Sequence, residues 1–182
     1  KPVGMGGSLG RTEATGYGVI FALREALKAL NIDITKTTAS IQGFGNVGEH
    51  AAKKYTELGG KVIAISCWDN NAKVSRTFRK LDGLDVEKLA EIKDPFGTID
   101  LEKAKDLGCE VLDGDEWIAQ DVDILLPCAL ENQLTPATFA KVSDQVKVIC
   151  EGANGPTTPD CDVLIKERNI FLIPDFLANA GG

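Results

Sequence analysis

The sequence predicts a doubly wound α/β fold, in which helices cover both faces of a mostly parallel sheet. Short apolar runs alternate with amphipathic helical segments along the chain. Most of these runs are apolar on both faces, as in strands that lie between two helical layers. A glycine-rich turn separates the first run from the next helical segment. The 182 residues are enough for one domain with a sizeable core, so we treat residues 1–182 as a single domain.

The first predicted element is a helix that begins near Thr12. Asn31 indicates the end of this helix. Gly16 and Gly18 lie inside this helix, where each costs ~1 kcal/mol relative to alanine unless another backbone must approach closely. We therefore expect both glycines to mark close packing. The apolar residues of the helix recur at helical spacing, at Val19, Ile20, Leu23, Leu27 and Leu30.

Strand patterns and helical patterns then alternate to the end of the chain. The strands are predicted at residues 38–42, 61–66, 109–112, 123–126, 146–150 and 170–173. The helices between them are predicted at residues 46–58, 85–92, 115–119, 136–142 and 159–168. Two stretches, 67–84 and 93–108, show no clean period and receive no assignment.

The composition is that of an ordinary globular protein and excludes two classes of partner. A hydrophobic fraction of 43% and a mean hydropathy of -0.04 are typical of a folded, water-soluble domain. No apolar run approaches the ~20 residues that a membrane span needs, so we expect no membrane partner. The net charge of -7 argues against nucleic acid, whose phosphates attract basic surfaces. An anionic ligand would have to be held by local N–H groups.

The cysteines and the histidine indicate a reducing compartment and no metal site. An odd number of cysteines without a C-x-x-C pair predicts free, mostly buried thiols in a cytoplasmic protein. His50 is the single histidine and lies inside a predicted helix without a ligand-spaced neighbour, so no metal is expected. The chain starts at Lys1 in a glycine-rich segment, which we interpret as part of a longer polypeptide. The cysteines are Cys67, Cys109, Cys128, Cys150 and Cys161.

The segment GFGNVG, between a predicted strand and a predicted helix, indicates a cradle for a dinucleotide. Gly43 suits a tight turn, Gly45 lets backbone N–H groups approach a pyrophosphate, and Gly48 allows close packing of helix on strand. A helix that opens near Asn46 directs unpaired N–H groups and its positive dipole end at phosphates. Similar turns occur in other nucleotide and methyl-donor folds, so this motif alone leaves the ligand class open.

Small residues and amides follow several of the predicted strands. Ligands of open α/β sheets bind outside the carboxyl ends of the strands, where these residues would meet. Glycine, proline and asparagine are also common in ordinary loops, but agreement among four loops favours a crevice for a flat polar ligand. The four segments are residues 67–69, 127–132, 151–158 and 174–182.

Five segments, in order, resemble the cofactor domain of the glutamate dehydrogenase family. They are residues 6–19, 43–48, 127–132, 151–158 and 173–182. The resemblance implies a Rossmann-like domain with one reversed strand, which binds NAD or NADP. It also implies that the full-length chain is a homohexamer that deaminates L-glutamate oxidatively to 2-oxoglutarate and ammonia. Leucine and phenylalanine dehydrogenases share the fold but lack the ANGPTT run, and a non-catalytic nucleotide-binding module is a third interpretation.

The resemblance further implies which residues contact the nucleotide. Asn154 would offer a donor and an acceptor to a carboxamide or ribose, although a loop asparagine also caps turns, and the Thr15 hydroxyl also bonds readily within its own helix. The implied phosphate turn comprises Gly43, Gly45, Asn46, Val47 and Gly48. The implied ribose and nicotinamide contacts are Thr15, Ala129, Asn154 and Asn179.

The end of the second predicted strand bears on the choice between NAD and NADP. An acid often grips the ribose hydroxyls there, but this chain has Cys67, with Asp69 two residues later. A carboxylate ~4 Å from a 2′-phosphate costs up to ~4 kcal/mol per unit charge at an effective dielectric of 20. We therefore predict a preference for NAD, with Cys67 and Asp69 at the ribose. An alternative phosphate clamp, or simply a solvated basic face, would consist of Lys73, Arg76, Arg79 and Lys80.

No catalytic residue is assigned within this chain. The catalytic lysine and aspartate that the family resemblance implies, and most of the glutamate pocket, would lie upstream of Lys1. Hydride transfer requires donor and acceptor carbons about 3 to 3.5 Å apart, which a cofactor domain alone cannot impose. We therefore expect substrate to bind only with the missing domain, and no glutamate turnover by these 182 residues alone.

Overall fold

A computed structural model describes residues 2–182 and confirms the doubly wound α/β fold. Within these residues, seven strands form one sheet: β1 (Thr38–Gln42), β2 (Lys61–Asp69), β3 (Val74–Arg79), β4 (Glu110–Asp113), β5 (Ile124–Pro127), β6 (Val148–Cys150) and β7 (Phe171–Ile173). Their spatial order is β4-β3-β2-β1-β5-β6-β7. Strand β3 is antiparallel to both of its neighbours, and the other adjacent pairs are parallel. The expectation of one reversed strand is therefore confirmed.

Helices cover both faces of this sheet. They are α1 (Arg11–Ala29), α2 (Asn46–Glu57), α3 (Val86–Glu91), α4 (Leu101–Asp106), α5 (Pro136–Phe139), α6 (Pro159–Glu167) and α7 (Asp175–Ala178). Helices α1 to α4 and α7 contribute to one hydrophobic cluster, whereas α5 and α6 contribute to a second. The predicted helix at residues 115–119 is a 3-10 turn, Gly114–Ala119, which packs with the second cluster.

Alternate residues of the central strands enter the two clusters. Ile124 and Leu126 of β5 belong to the cluster under α1 and α2, while Leu125 belongs to the cluster under α5 and α6. In β6, Val148 and Ile149 divide in the same way. Successive side chains of a strand point to opposite faces, so a strand covered on both faces is mostly apolar along its length. This explains the continuous apolar runs of the sequence.

Two elements lie in the stretches that received no assignment. Strand β2 continues to Asp69, three residues further than predicted, and turns back into β3 within residues 67–84. Arg79 of β3 pairs with Glu110 of the adjacent β4, with 2.6 Å between nitrogen and oxygen. Residues 74–79 are therefore a strand because they pair with β2 and with the distant β4, although the segment is polar. Helix α4, within residues 93–108, has only six residues, too few to show a helical period.

Helices α1 and α2 touch through a glycine. A Cβ atom on Gly16 would lie 2.7 Å from the Val47 carbonyl oxygen and 2.7 Å from the His50 Cβ. A Cβ atom on Gly18 would lie 3.1 Å from the Gly181 Cα. Both glycines therefore permit close backbone approach, as predicted. These two close approaches bring the amino-terminal parts of α1 and α2 and the last residues of the chain to one edge of the sheet.

The five cysteines are free thiols, and all except Cys128 are buried. Across residues 2–182, no group of three or more His, Cys, Asp and Glu side chains is arranged to hold a metal ion. None of the helices in this part of the chain combines the length and the apolar character that a bilayer crossing requires.

Candidate functional site

A cleft of about 640 Å³ opens outside the carboxyl ends of β1, β2 and β5. From β1 the strand order continues through β2 on one side and through β5 on the other. The cleft therefore lies at the topological switch point of the sheet, where open α/β folds bind ligands. Its lining residues are Gln42, Gly43, Phe44, Gly45, Ser66, Cys67, Trp68, Ser75, Phe96, Gly97, Gly114, Asp115, Cys128, Ala129, Leu130 and Gln133.

The three glycines of the turn differ in their surroundings. Gly43 has a φ of +91°, and a Cβ atom there would lie 2.8 Å from the Ala129 Cβ. A Cβ atom on Gly48 would lie 2.0 Å from the Gly43 carbonyl oxygen, so α2 packs directly on the turn. Around Gly45, by contrast, no atom of residues 2–182 other than its chain neighbours lies within 4 Å of the Cβ position. The turn thus leaves open space in front of α2, which fits a diphosphate.

The amino terminus of α2 faces this space without a side-chain cap. Gly45 occupies the cap position, and within residues 2–182 no side-chain cap bonds to the first N–H groups of the helix. The Asn46 side chain donates instead to the Thr12 carbonyl oxygen in α1, at 2.7 Å. This hydrogen bond engages the Asn46 Nδ2 with α1. Val47 packs inward, where its Cγ1 would lie 3.2 Å from a Cβ atom on Gly152.

The Lys93 side chain contacts the glycine turn at Phe44, and the sequence did not predict this contact. Its Nζ donates to the Phe44 carbonyl oxygen at 3.0 Å, pairs with the Glu49 carboxylate and lies 4.9 Å from the centre of the Phe44 ring. Burial would raise the pKa of Glu49, but hydrogen bonds from Lys93 and Lys53 hold that pKa below its ordinary value. Lys93 lies in an unassigned stretch 44 residues from Glu49, so no local pattern indicates the pair.

We expect Lys93→Met to lower the free energy of unfolding by about 2 kcal/mol at pH 7, because it removes two charge-assisted hydrogen bonds at a largely buried site. The lowered pKa of Glu49 stabilises the protein above the unfolded glutamate pKa of about 4.3, and this contribution is lost as the pH falls through the folded pKa. Urea unfolding at pH 7 and at pH 3 should therefore show a smaller difference between variant and unaltered protein at pH 3.

Lys105→Met is the matched control for this substitution. The ion pair of Lys105 with Glu102 is exposed, with side-chain exposures of 56% and 81%. Exposed pairs contribute about 0 to 1 kcal/mol. A loss in Lys93→Met no larger than in Lys105→Met would contradict the supporting role of Lys93.

The end of the cleft next to β2 is bounded by a thiol and two aromatic rings. The Cys67 Sγ donates to the Gly97 carbonyl oxygen at 3.0 Å, and burial raises the pKa of this thiol to about 11. Cys67 is therefore neutral at physiological pH. Trp68 and Phe96 line the cleft with 52% and 79% of their surface exposed. Such rings suit a planar, uncharged group.

Asp69 does not line this cleft. Its carboxylate accepts from the N–H groups of Asn71 and Ala72, both at 2.9 Å, and pairs with Arg76 Nε at 3.3 Å. The Ala72 N–H is the main reason that the pKa of Asp69 lies below its ordinary value. Asp69 is only 8% exposed, and its carboxylate organises the turn between β2 and β3. The Asp69 carboxylate is therefore engaged by its own turn and by Arg76.

The basic residues of the alternative clamp are also directed elsewhere. Arg76 pairs with Asp69, Arg79 pairs with Glu110, and Lys80 Nζ donates to the Leu107 carbonyl oxygen at 2.9 Å. Neither these three residues nor Lys73 are among the residues that line the cleft. They do not form a phosphate clamp there.

The other end of the predicted site is brought together at β6, β7 and α1. The Asn179 side chain donates to the Asn154 Oδ1 at 2.7 Å and lies 3.4 Å from the Gly152 carbonyl oxygen. Gly152 adjoins the cleft, because a Cβ atom there would lie 2.6 Å from the Cys128 Sγ. Thr15 meets the same region, since its Oγ1 would lie 2.3 Å from a Cβ atom on Gly182.

Gln42 and Gln133 are lining residues that the sequence did not single out. The Gln42 side chain donates to the Gln133 Oε1 at 2.6 Å. The Gln42 Oε1 is buried and has no hydrogen-bond partner among residues 2–182. A buried acceptor without a partner is costly, so this oxygen is an unsatisfied polar atom beside the cleft. The available signal was a glutamine at the last position of a buried strand.

The chain resembles known proteins along its whole length. The glutamate/leucine/phenylalanine/valine dehydrogenase family model matches residues 6–182. The chain is 41% identical to the NAD-specific glutamate dehydrogenase of Clostridioides difficile and 43% identical to the glutamate dehydrogenase of Thermotoga maritima; both matches include 100% of the chain, but only 42% and 41% of those proteins. The crystal structure of Plasmodium falciparum glutamate dehydrogenase matches with a TM-score of 0.86 and 30% identity, over 100% of this chain and 38% of that one. The chain thus spans less than half the length of these relatives.

Proposed function

Because the chain belongs to the glutamate/leucine/phenylalanine/valine dehydrogenase family, we propose that it is the C-terminal, NAD-binding domain of a glutamate dehydrogenase. The open space in front of α2, framed by Gly43, Gly45 and Gly48, is the observation that carries the proposal. An elongated ligand with a compact anionic centre would use both the uncapped N–H groups and the cleft beside them. A dinucleotide has that shape, and its diphosphate would lie at Gly45.

The two halves of the nucleotide would then extend in opposite directions. The adenosine half would lie towards β2, where ribose binds in this class of fold and where Trp68 and Phe96 offer apolar surfaces to a base. The nicotinamide half would lie towards β6, near Asn154, Asn179 and Thr15. The hydrogen bond from Asn179 to Asn154 would hold the Asn154 Nδ2 and the Asn179 Oδ1 in place for a carboxamide or ribose hydroxyl.

In the complete polypeptide we propose the oxidative deamination of L-glutamate to 2-oxoglutarate and ammonia, carried out by a homohexamer. When bound, the nicotinamide ring accepts the hydride. The residues of this chain bind and orient the nucleotide, and the substrate pocket lies in another part of the polypeptide. Glutamate is favoured over leucine or phenylalanine because the two curated relatives reported above are named glutamate dehydrogenases.

NAD is the proposed nucleotide, in preference to NADP. The similar protein of Clostridioides difficile is named NAD-specific. The absence of lysine and arginine among the described residues that line the cleft agrees with this choice, since a 2′-phosphate would find no cation there.

Calorimetric titration of the purified protein with NAD and with NADP tests this function. We expect NAD to bind with one site per chain and with a lower dissociation constant than NADP. ADP-ribose, which lacks the nicotinamide, should compete with NAD because the diphosphate contacts are unchanged. Binding of neither nucleotide, or tighter binding of NADP, would contradict the proposal.

A further inference from the structure

One residue among those described as lining the cleft carries a charge at neutral pH, and it is Asp115. Asp115 is exposed and lies in the 3-10 turn Gly114–Ala119, directly after β4. The sequence placed it in a helix and gave it no role at the site. It is therefore a candidate for a contact with the ligand that no motif indicates.

The sheet fixes the position of Asp115 relative to the rest of the cleft. Ser75 of β3 pairs with Trp68 of β2, and a Cβ atom on Gly114 would lie 2.3 Å from the Ser75 Cβ. The Thr77 hydroxyl donates to the Gly114 carbonyl oxygen at 3.0 Å and holds the start of the turn. Gly114 thus lies against β3 at the level of residues 66–68 of β2, and Asp115 follows it at the edge of the cleft.

We propose that Asp115 is the residue that discriminates against a 2′-phosphate on the nucleotide. This inference rests on the proposed function. A dinucleotide whose diphosphate lies at Gly45 places its adenosine ribose near the end of β2. A carboxylate beside the ribose accepts hydrogen bonds from hydroxyl groups and repels a phosphate.

The other charged groups near this end of the cleft do not perform the same task. Asp69 is bound by its own turn and by Arg76, and Cys67 is a neutral thiol. Arg79 is occupied by Glu110. The chain therefore supplies the acidic group from the turn after β4, whereas the sequence suggested the end of β2.

The test is titration of Asp115→Asn with NAD and with NADP, which differ only in the 2′-phosphate. Asparagine keeps the shape of the side chain and removes its charge. We expect the ratio of the NADP to the NAD dissociation constant to fall by about tenfold, the size of one charge repulsion of ~1.4 kcal/mol, with most of the change in NADP. The difference should shrink at 1 M salt, where the Debye length is about 3 Å.

Asp113→Asn is the matched control, because Asp113 is exposed and lies two residues away but does not line the cleft. For Asp113→Asn, the ratio of the NADP to the NAD dissociation constant should stay close to that of the unaltered protein. An unchanged ratio in Asp115→Asn, or an equal fall in both variants, would overturn the assignment of Asp115 while NAD binding upheld the proposed function. Failure of the unaltered protein to bind either nucleotide would overturn both.

Discussion

Gly45→Val should abolish nucleotide binding and leave the fold intact. Gly45 has φ and ψ angles of -81° and -161°, which a valine adopts without strain, and nothing lies within 4 Å of its Cβ position. The new side chain would occupy the space in front of α2 in which the diphosphate would lie. We expect the dissociation constant for NAD to rise at least ~100-fold, which corresponds to ~2.7 kcal/mol. Titration calorimetry measures the affinity, and urea unfolding measures the stability.

Gly4→Val is the matched control for the binding experiment. Gly4 is also a glycine with nothing within 4 Å of its Cβ position, but it lies in the exposed segment Val3–Met5 and does not line the cleft. Its substitution should leave the affinity for NAD unchanged. A folded Gly45→Val protein that binds NAD as tightly as the Gly4→Val protein would show that the diphosphate lies elsewhere.

Gly48→Ala, in contrast to Gly45→Val, should cause a large loss of stability. A Cβ atom there would lie 2.0 Å from the Gly43 carbonyl oxygen and 2.8 Å from the Gly43 carbonyl carbon, both backbone atoms that cannot rotate away. Overpacking typically costs 1 to 3 kcal/mol, and a collision with backbone belongs at the upper end, so we expect a loss of about 3 kcal/mol. For a domain of this size that corresponds to a fall in Tm of about 10 °C.

The control for stability is the same substitution three residues earlier, Gly45→Ala. The open space at that position accommodates a methyl group, so the Tm should change little. Differential scanning calorimetry of the two alanine variants distinguishes the roles of the two glycines. Equal Tm values for Gly48→Ala and Gly45→Ala would mean that α2 moves to make room, and would contradict the tight contact at Gly48.

The glycine motif shows why part of the site is predictable from sequence. Gly43, Gly45 and Gly48 lie within six residues, and their spacing is set by one turn and the first turn of one helix. Local geometry therefore relates the sequence to the structure directly. The same holds for the strands and helices of the core, because burial on both faces leaves a continuous apolar run.

The sequence could not predict the partner of a charged side chain where several partners were possible. Asp69 and the basic residues after it suggested either a ribose ligand or a phosphate clamp, and the choice depended on which groups lay nearest. In the structure, Asp69 binds the N–H groups of its own turn and Arg76, while Arg79 pairs with Glu110 of the adjacent β4. Strand β3, which brings these partners together, was the strand that the sequence did not show.

The sequence by itself determined the apolar strands and most of the helices of the core, and the place of the glycine turn, because these depend on periodicity and on backbone freedom within a few residues. Tertiary structure alone decided that Lys93 supports Phe44, that Gln42 keeps a free acceptor and that Asp115 reaches the cleft. These positions depend on contacts between residues tens of positions apart. Side-chain charges and hydrogen bonds select partners by distance, and only the folded sheet fixes those distances.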